Sequence, residues 1–321
     1  MPKKIILDVD TGTDDAIALM TAVLHPDIEL VAACSVNGNQ TIEKTTENTL
    51  RVIEFLKRPD IPVYRGCDLP MVSTLDPDRK PNVPYTKKSD VHGDYLPIPK
   101  ATIKVQPQHA VNFMIETYMA ATEPITLVMV GPLTNLGMAL RLEPRIADRI
   151  PEVIIMGGGH MIGNITPSAE WNIYVDPEAA RIVMQSGIPI RLVPLDATHA
   201  AYTTYREAIA IQKIGTPYAK AAASFILERI EGYKIFDKQM GALNATPVHD
   251  ALCIAAILDP SILENVVECF VDIDCNGELT DGRTVCDVHF RTGNTPNAKV
   301  ALSANREKFN RFLIETLSIS G

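Results

Sequence analysis

The sequence has few of the features that mark secreted, membrane or nucleic-acid-binding proteins. Its six cysteines are scattered without a Cys-x-x-Cys pair, so we expect free buried thiols in a reducing cytosol. Its least polar stretch, residues 124–140, contains Pro132 and Asn135 and does not read as a membrane span. Only three apolar residues separate Lys4 from Asp8, too few for a signal-peptide core. We therefore expect a cytoplasmic protein with no membrane partner.

Basic residues are scarce relative to acidic ones. The chain has 30 Lys and Arg against 39 Asp and Glu, a net charge of -9, and no basic run exceeds two residues. Nucleic acid is therefore excluded as an expected partner, because phosphate backbones are bound through a basic face.

Repeats, low-complexity tracts and linkers are also absent from the sequence, so residues 1–321 are predicted to form a single domain.

The chain does have an alternation of buried strands and amphipathic helices. Strands are predicted from Ile5 to about Asp10 and at 28–36, 62–66, 125–130, 153–156 and 189–195. Helices are predicted at 14–24, 41–56, 109–121, 133–142, from Asp176 onward, twice within 202–236, at 250–258 and at 306–318. Residues 266–274 and 283–288 are predicted to pair antiparallel. The predicted fold class is α/β, an open, mostly parallel Rossmann-like sheet flanked by helices, with a small antiparallel C-terminal addition.

Four carboxylates fall within eight residues where the first strand meets the first helix. They are Asp8, Asp10, Asp14 and Asp15, in the segment KKIILDVDTGTDDAIAL. So many negative charges need compensation, which the amides of the helix N-terminus supply in part. A hard cation compensates far better, and clustered carboxylates are the ligands that calcium and magnesium prefer. The cluster therefore indicates a metal site.

Three other interpretations of this cluster compete with a metal site. Acidic caps in a first helical turn explain Asp14 or Asp15 alone, but not the whole group. An EF-hand fails because Gly12 takes the third ligand position and Leu19 the place of the closing Glu. A hydrophobic strand ending in Asp-x-Asp also resembles haloacid-dehalogenase-type phosphatases, in which Asp8 would be the nucleophile. The Asp14–Asp15 pair is not part of that pattern, so the metal site is preferred.

Further polar groups follow the predicted strands. Asp10, Asn39, the Val130 carbonyl and Met156 lie at carboxyl ends of parallel strands, where α/β sheets bind ligands. Loops and helix starts that could fold over this edge carry Asn164, Glu170, Asn172, His249 and Asp250. Taken singly, Asn39 could end a strand, Trp171 could be core and His249 could simply begin a helix. Together, carboxylates and amides without a basic cluster favour a neutral polyhydroxylated ligand such as a sugar over a phosphate.

Six segments together resemble the inosine-uridine-preferring nucleoside hydrolases over essentially the whole chain. They are DVDTGTDDAIAL from Asp8, VNGN from Val36, VGPLTN from Val130, MGGG from Met156, GNITPSAEWNIYVDPEAA from Gly163 and PVHDAL from Pro247. The resemblance implies an enzyme that hydrolyses the N-glycosidic bond of ribonucleosides to ribose and free base, using tightly held Ca²⁺. It also implies a homodimer or homotetramer.

The same resemblance implies a role for each matching residue. Ca²⁺ would be held by Asp10, Asp15, Asp250 and the Val130 carbonyl, and Asp10 would take a proton from the calcium-bound water that attacks an oxocarbenium-like C1′. His249 would be the candidate general acid toward the leaving base. The substrate would be bound by Asp14, Asn39, His92, Met156, Asn164, Glu170, Trp171 and Asn172, while Asp8 would orient the loop from behind.

Some positions depart from the family pattern. Val130 stands where the family often has Thr, Ala251 where Pro is common, and Asp94-Tyr95-Leu96 where many relatives have a glycine-containing run. The purine-specific branch stacks the base on tryptophans, whereas Trp171 is the only Trp here. His249 therefore points to the base-nonspecific or pyrimidine-preferring branch. A non-catalytic ribose- or calcium-binding protein on this scaffold is disfavoured, because every expected acid and base position is filled.

Overall fold

The structure, a computed structural model, describes residues 1–72, 75 and 92–319. The sequence from 67 to about 104 lacks helix or strand periodicity and is rich in proline. A loop of this length is uncommon unless it has a function, for example as a lid over a site. The central part of this segment, 73–74 and 76–91, lies outside the described residues, whereas His92 lies within them.

Strands and helices alternate along most of the described chain. The strands are β1 (Lys3–Val9), β2 (Ile28–Ser35), β3 (Val63–Arg65), β4 (Thr126–Met129), β5 (Val153–Met156), β6 (Ile190–Val193), β7 (Thr203–Thr204), β8 (Ala245–Thr246), β9 (Leu263–Cys269), β10 (Val271–Ile273), β11 (Thr284–Cys286) and β12 (Ala298–Ala304). The α-helices are α1 (Thr13–Leu24), α2 (Ile42–Phe55), α3 (Ala110–Ala120), α4 (Thr134–Leu142), α5 (Trp171–Val175), α6 (Pro177–Met184), α7 (Leu195–Ala200), α8 (Tyr205–Ile214), α9 (Pro217–Phe236), α10 (Lys238–Leu243), α11 (His249–Leu258) and α12 (Arg306–Leu317). Short 3₁₀ helices span Pro144–Asp148 and Pro260–Ile262.

The central sheet has the strand order β3-β2-β1-β4-β5-β6-β12-β9. All neighbouring strands pair in parallel, apart from the edge strand β9, which runs antiparallel to β12. From β1 the sheet extends through β2 and β3 on one side and through β4, β5 and β6 on the other side. The order reverses between β1 and β4, and ligands of such sheets bind outside the carboxyl ends of the strands at that point.

The sheet is buried on both faces, which explains its continuous apolar strands. In β1, Ile5, Ile6, Leu7 and Val9 are all fully buried. One core cluster packs α1, α9 and α11 against the sheet, and a second cluster packs α3, α4 and α6. The sheet edge that carries Asp10 is thereby held between two helical layers.

The predicted fold class is confirmed, with two differences at the C-terminal end. Residues 266–274 are not one strand, because β9 ends at Cys269 on the edge of the main sheet and only β10 pairs with β11. Strand β12 was not predicted, since AKVALSA carries one β-branched residue and little alternation. Helices α5, α7 and α10 were also missed, because five or six residues contain less than two turns of apolar periodicity. None of the helices in the described ranges has the length and apolar character needed to cross a bilayer.

Candidate active site

The loop between β1 and α1 is organised by Asp15, which caps its own helix. Asp15 Oδ1 accepts the Asp10 amide at 3.1 Å, and Oδ2 accepts the Gly12 amide at 2.9 Å. Oδ2 also accepts Asn39 Nδ2 at 3.2 Å, which joins the loop to the end of β2. Burial and the neighbouring Asp14 nevertheless raise the pKa of Asp15 to about 7. The loop therefore holds excess negative charge that its own hydrogen bonds do not offset.

Asp10 is fully buried, and only one of its two carboxylate oxygens accepts a hydrogen bond from a described residue. Its Oδ2 accepts the Asn39 amide at 2.6 Å, whereas its Oδ1 has no hydrogen-bond partner among the described residues. Burial and the charge of Asp15 raise the pKa of Asp10 well above its ordinary value. A buried acceptor without a partner costs free energy, so this oxygen fits a position reserved for a cation or a water proton.

A group of three carboxylates lies beside Asp10. Asp14, Asp15 and Asp250 each offer one oxygen, and these atoms lie within 4.8 Å of one another. Asp250 comes from the first turn of α11, and burial together with Asp14 and Asp15 raises its pKa strongly. The predicted metal set had Asp10 in place of Asp14, so the geometry adds Asp14 to the group. Three buried carboxylates, two from the start of α1 and one from the start of α11, are a donor set that fits a hard divalent cation.

Two glycines allow this crowding. A Cβ on Gly38 would lie 2.1 Å from Asp10 Oδ2, and a Cβ on Gly12 would lie 2.1 Å from His92 Nδ1. His92 Nδ1 accepts the Thr13 amide at 3.2 Å and lies 3.7 Å from Asp14 Oδ1. His92 therefore lies against the acidic loop, and its predicted contact with substrate stays a prediction.

Asn172 and Glu170 organise the neighbouring strand ends. Asn172 Nδ2 donates to the Val130 carbonyl at 2.8 Å and to the Met156 carbonyl at 3.2 Å, which ties β4 to β5. Glu170 caps α5 and accepts the amides of Gly158 at 2.9 Å and Asn172 at 2.9 Å. Burial raises the pKa of Glu170 to about 7. Both residues hold the site together, and their contacts with substrate stay predictions.

The remaining predicted residues lie around this centre. Asn164 is exposed, and its Oδ1 accepts the Trp171 backbone N–H at 2.9 Å, which fixes the loop before α5.

Asp8 faces α4, because its Oδ2 accepts Asn135 Nδ2 at 2.7 Å. Burial raises the pKa of Asp8 to about 8, so this carboxyl group is mostly protonated at neutral pH. Asp8 is therefore held against Asn135 of α4, and it is not among the three carboxylates whose oxygens lie together.

His249 lies in a hydrogen-bonded chain at the start of α11. Its Nε2 is 2.7 Å from the Tyr233 hydroxyl and its Nδ1 is 2.7 Å from Thr198 Oγ1. The His199 ring lies beside it, with ring centroids 5.6 Å apart. Burial, followed by the positive charge of Arg229, holds the pKa of His249 well below its usual range. His249 is therefore a neutral imidazole in this arrangement.

Arg229 brings a permanent positive charge to the carboxylates. Its side chain projects from α9 and is 1% exposed. Nη1 donates to Asp14 Oδ1 at 2.9 Å and to Thr13 Oγ1 at 3.2 Å. The guanidinium carbon lies 5.6 Å from the centroid of the Tyr233 ring, so α9 links the acidic loop to the His249 chain.

Known proteins resemble this chain over its whole length. The family described as inosine-uridine preferring nucleoside hydrolase matches residues 5–311. The chain belongs to this family. It is therefore an enzyme, a hydrolase of N-glycosidic bonds, and the family predicted from the six sequence segments is confirmed.

Relatives of this nucleoside hydrolase carry different base preferences in their names. It is 40% identical over 321 residues to the pyrimidine-specific ribonucleoside hydrolase RihA of Salmonella typhi, covering 99% of each chain. The RihA of Salmonella enteritidis is 41% identical with the same coverage. A purine-preferring ribonucleoside hydrolase from Gardnerella vaginalis has a similar structure, with a TM-score of 0.87, 28% identity and 98% coverage of each chain. A plant nucleoside hydrolase has a TM-score of 0.83, 27% identity and full coverage of both chains.

The sequence predictions for this hydrolase missed Arg229, Tyr233 and Thr198. All three come from segments far from the acidic motif, and none belongs to the six matching segments. One signal was available for Arg229, because it occupies the apolar stripe of α9 with Ile226 and Tyr233, at helical spacing. A charged residue in such a stripe requires a buried partner, which Asp14 provides.

Glu170 allows a pH-dependent prediction for the metal-free hydrolase. Its pKa of about 7, against an ordinary value of 4.5, means that the folded state holds this proton more tightly than the unfolded state. The contribution of Glu170 to the free energy of unfolding is therefore fully present below pH 4.5. It is lost as the pH rises through 7, and the total loss is about 3 kcal/mol. Glu170→Gln should lack this component when the free energy of unfolding is measured by denaturant titration at several pH values.

The matched control for Glu170 is Glu116→Gln, on the exposed face of α3. That variant should keep the pH dependence of the wild type. A Glu170→Gln protein whose pH dependence also equals that of the wild type would show that Glu170 has an ordinary pKa.

Proposed function

We propose that this enzyme hydrolyses ribonucleosides to ribose and free base by attack of water on C1′, with a preference for pyrimidine bases. The observation that carries the proposal is the buried carboxylate group of Asp10, Asp14, Asp15 and Asp250 at the sheet switch point. The base preference is supported by the pyrimidine-specific relatives at 40% identity, against 28% for the purine-preferring one.

The cofactor proposed for this group is Ca²⁺. Asp10, Asp15, Asp250 and the Val130 carbonyl would hold the ion, and Asp14 lies in the same carboxylate group. Ca²⁺ suits such a site because it accepts six to eight oxygen ligands in flexible geometry. Val130 can keep its bond to Asn172, since a carbonyl oxygen has two lone pairs. When bound, the ion would position the attacking water and lower its pKa.

Asp10 is proposed as the general base. Its Oδ1 has no hydrogen-bond partner among the described residues, so it is available to accept the proton of the attacking water. The carboxylates around it would stabilise positive charge that develops at C1′ as the glycosidic bond breaks. Asp14, Asn39, Glu170 and Asn172 would bind the ribose hydroxyls.

His249 is proposed to act on the leaving base. A neutral imidazole can donate a hydrogen bond without first taking up a proton from solution. The Tyr233 hydroxyl at 2.7 Å and Thr198 at 2.7 Å orient the ring and can replenish its proton. His249 would therefore be the candidate general acid: one ring nitrogen would give its proton to the base nitrogen as the glycosidic bond breaks, while the other ring nitrogen would take up the proton of the hydroxyl group that it contacts. Water would return that proton to the hydroxyl group after the base has left.

The remaining contacts and the assembly are proposed from the family. His92, Met156, Asn164 and Trp171 would line the substrate pocket around the residues named above. The enzyme would work in the cytoplasm as a homodimer or homotetramer of single-domain chains.

Chelation tests the proposed cofactor. Activity on uridine, measured as uracil release, should disappear after dialysis against a chelator and return with CaCl₂. MgCl₂ should restore less, because Mg²⁺ demands octahedral geometry and retains its waters. Aryl phosphates, incubated in parallel with and without chelator, should release no phosphate. Full activity in chelator would refute the metal, and phosphate release without ribose release would favour a phosphohydrolase.

A further inference from the structure

We propose that Arg229 is a built-in counter-ion of the carboxylate group, which holds Asp14 and sets the affinity of the site for its divalent cation. The inference rests on the metal site of the proposed function and adds a residue that tunes it. Arg229 is in this sense a positioning residue, since it acts through Asp14.

The contacts place the guanidinium inside the acidic site. Nη1 lies 2.9 Å from Asp14 Oδ1, and both side chains are buried, with exposures of 2% and 7%. Asp250 and Asp15 also favour the charged form of Arg229 across this buried space. Arginine does not lose its proton in proteins, so the site always contains one positive charge.

The guanidinium is held by charge more than by a complete set of hydrogen bonds. Its Nε is buried without a partner among the described residues, although Nη1 has two. A buried donor without a partner reduces stability, so a purely structural arginine would be expected to satisfy it. The arrangement is better explained by the carboxylates, which need a positive charge whenever no metal is bound.

Two consequences follow for metal binding. Arg229 places a positive charge against Asp14 and near Asp15 and Asp250, so the site attracts a divalent cation less strongly than it would without the arginine. Arg229 also engages one oxygen of Asp14, which leaves that carboxylate less free to turn toward the ion. The arginine thus weakens cation binding and stabilises the metal-free fold, and these two effects are linked.

Calorimetric titration of the chelator-stripped protein with CaCl₂ tests this inference. Arg229→Met removes the charge with similar bulk and should lower the dissociation constant for Ca²⁺ about tenfold or more. Arg229→Lys keeps the charge and should stay close to the wild type. Metal-free Arg229→Met should also melt at a lower temperature than the wild type, and Ca²⁺ should raise its Tm by a larger amount.

The result that overturns the inference is an Arg229→Met protein that binds Ca²⁺ no more tightly than the wild type and Arg229→Lys. A stripped wild type that does not fold would also overturn it, since Arg229 would then not stabilise the metal-free state. If Arg229→Met folds only after Ca²⁺ is added, that outcome supports the inference. Uracil release is measured separately, so a wild type that binds Ca²⁺ but does not hydrolyse uridine refutes the proposed function and leaves the Arg229 comparison valid.

Discussion

Asp10→Asn should lower kcat for uridine about 10²- to 10⁴-fold, the usual contribution of a general base. The substitution keeps the size of the side chain, and the carbonyl oxygen of the new asparagine can still accept the Asn39 backbone N–H that Oδ2 of Asp10 accepts at 2.6 Å. It removes the basic oxygen that has no hydrogen-bond partner among the described residues. Initial rates of uracil release at saturating Ca²⁺ and saturating uridine give the comparison, so that a weaker affinity for the ion is not mistaken for lost chemistry.

Asp8→Asn is the matched control for Asp10→Asn. Asp8 is also fully buried, lies two residues away and has one oxygen without a described partner, but its other oxygen accepts Asn135 Nδ2. Because Asp8 is held against α4 and is not among the three carboxylates whose oxygens lie together, exchange of the carboxyl group for an amide should leave kcat near the wild type. A loss at Asp8 as large as the loss at Asp10 would contradict the separate roles assigned to these two carboxyl groups.

His249→Ala should lower kcat for uridine by a similar factor of about 10²–10⁴, because the leaving base then departs without a proton donor. Turnover of a p-nitrophenyl riboside should fall much less, since its leaving group needs no proton. The structure supports this expectation through the two 2.7 Å contacts that orient the imidazole. Steady-state kinetics on both substrates give the ratio that matters.

Tyr233→Phe separates proton donation from packing. It removes the hydroxyl that contacts His249 and keeps the ring, so we expect a smaller loss on uridine with the same dependence on the leaving group. Tyr205→Phe is the matched control, because Tyr205 is 46% exposed on α8.

Equal losses of His249→Ala on uridine and on the aryl riboside would rule out a role of His249 in the departure of the base.

The parallel sheet and the acidic loop could be predicted from local sequence. The apolar run at Ile5 and the Asp-rich turn after it determine β1, its end and the start of α1 with little help from distant residues. The same is true of Asn39, which lies in the loop after β2 and contacts both Asp10 and Asp15 at the edge of the sheet where the sequence placed it.

The electrostatics of the site could not be predicted in this way. Sequence motifs assigned Asp14 to ribose alone, whereas tertiary packing places it with Asp15 and Asp250 and against Arg229. That contact joins residues 215 positions apart, and it depends on how α9 packs over α1. Spacing rules describe one element at a time, so they cannot show which buried charge meets another from a distant helix.

The neutral state of His249 was likewise outside the reach of the sequence. The family resemblance implies that His249 is a candidate acid, but burial and Arg229 lower its pKa and make a protonated imidazolium unfavourable. The tyrosine that contacts it lies 16 residues earlier, on a different helix. The role predicted for His249 therefore remains a proposal, now with a defined proton donor chain.

The most direct test of the proposed chemistry is product release from a panel of purine and pyrimidine ribonucleosides by the Ca²⁺-loaded enzyme. Reducing sugar and free base are quantified in the same reactions. The proposed function predicts ribose and base in a one-to-one ratio, with the highest kcat/KM on uridine or cytidine. Asp10→Asn should form both products at the reduced rate expected above. Absence of ribose and base from every nucleoside in the panel would contradict it.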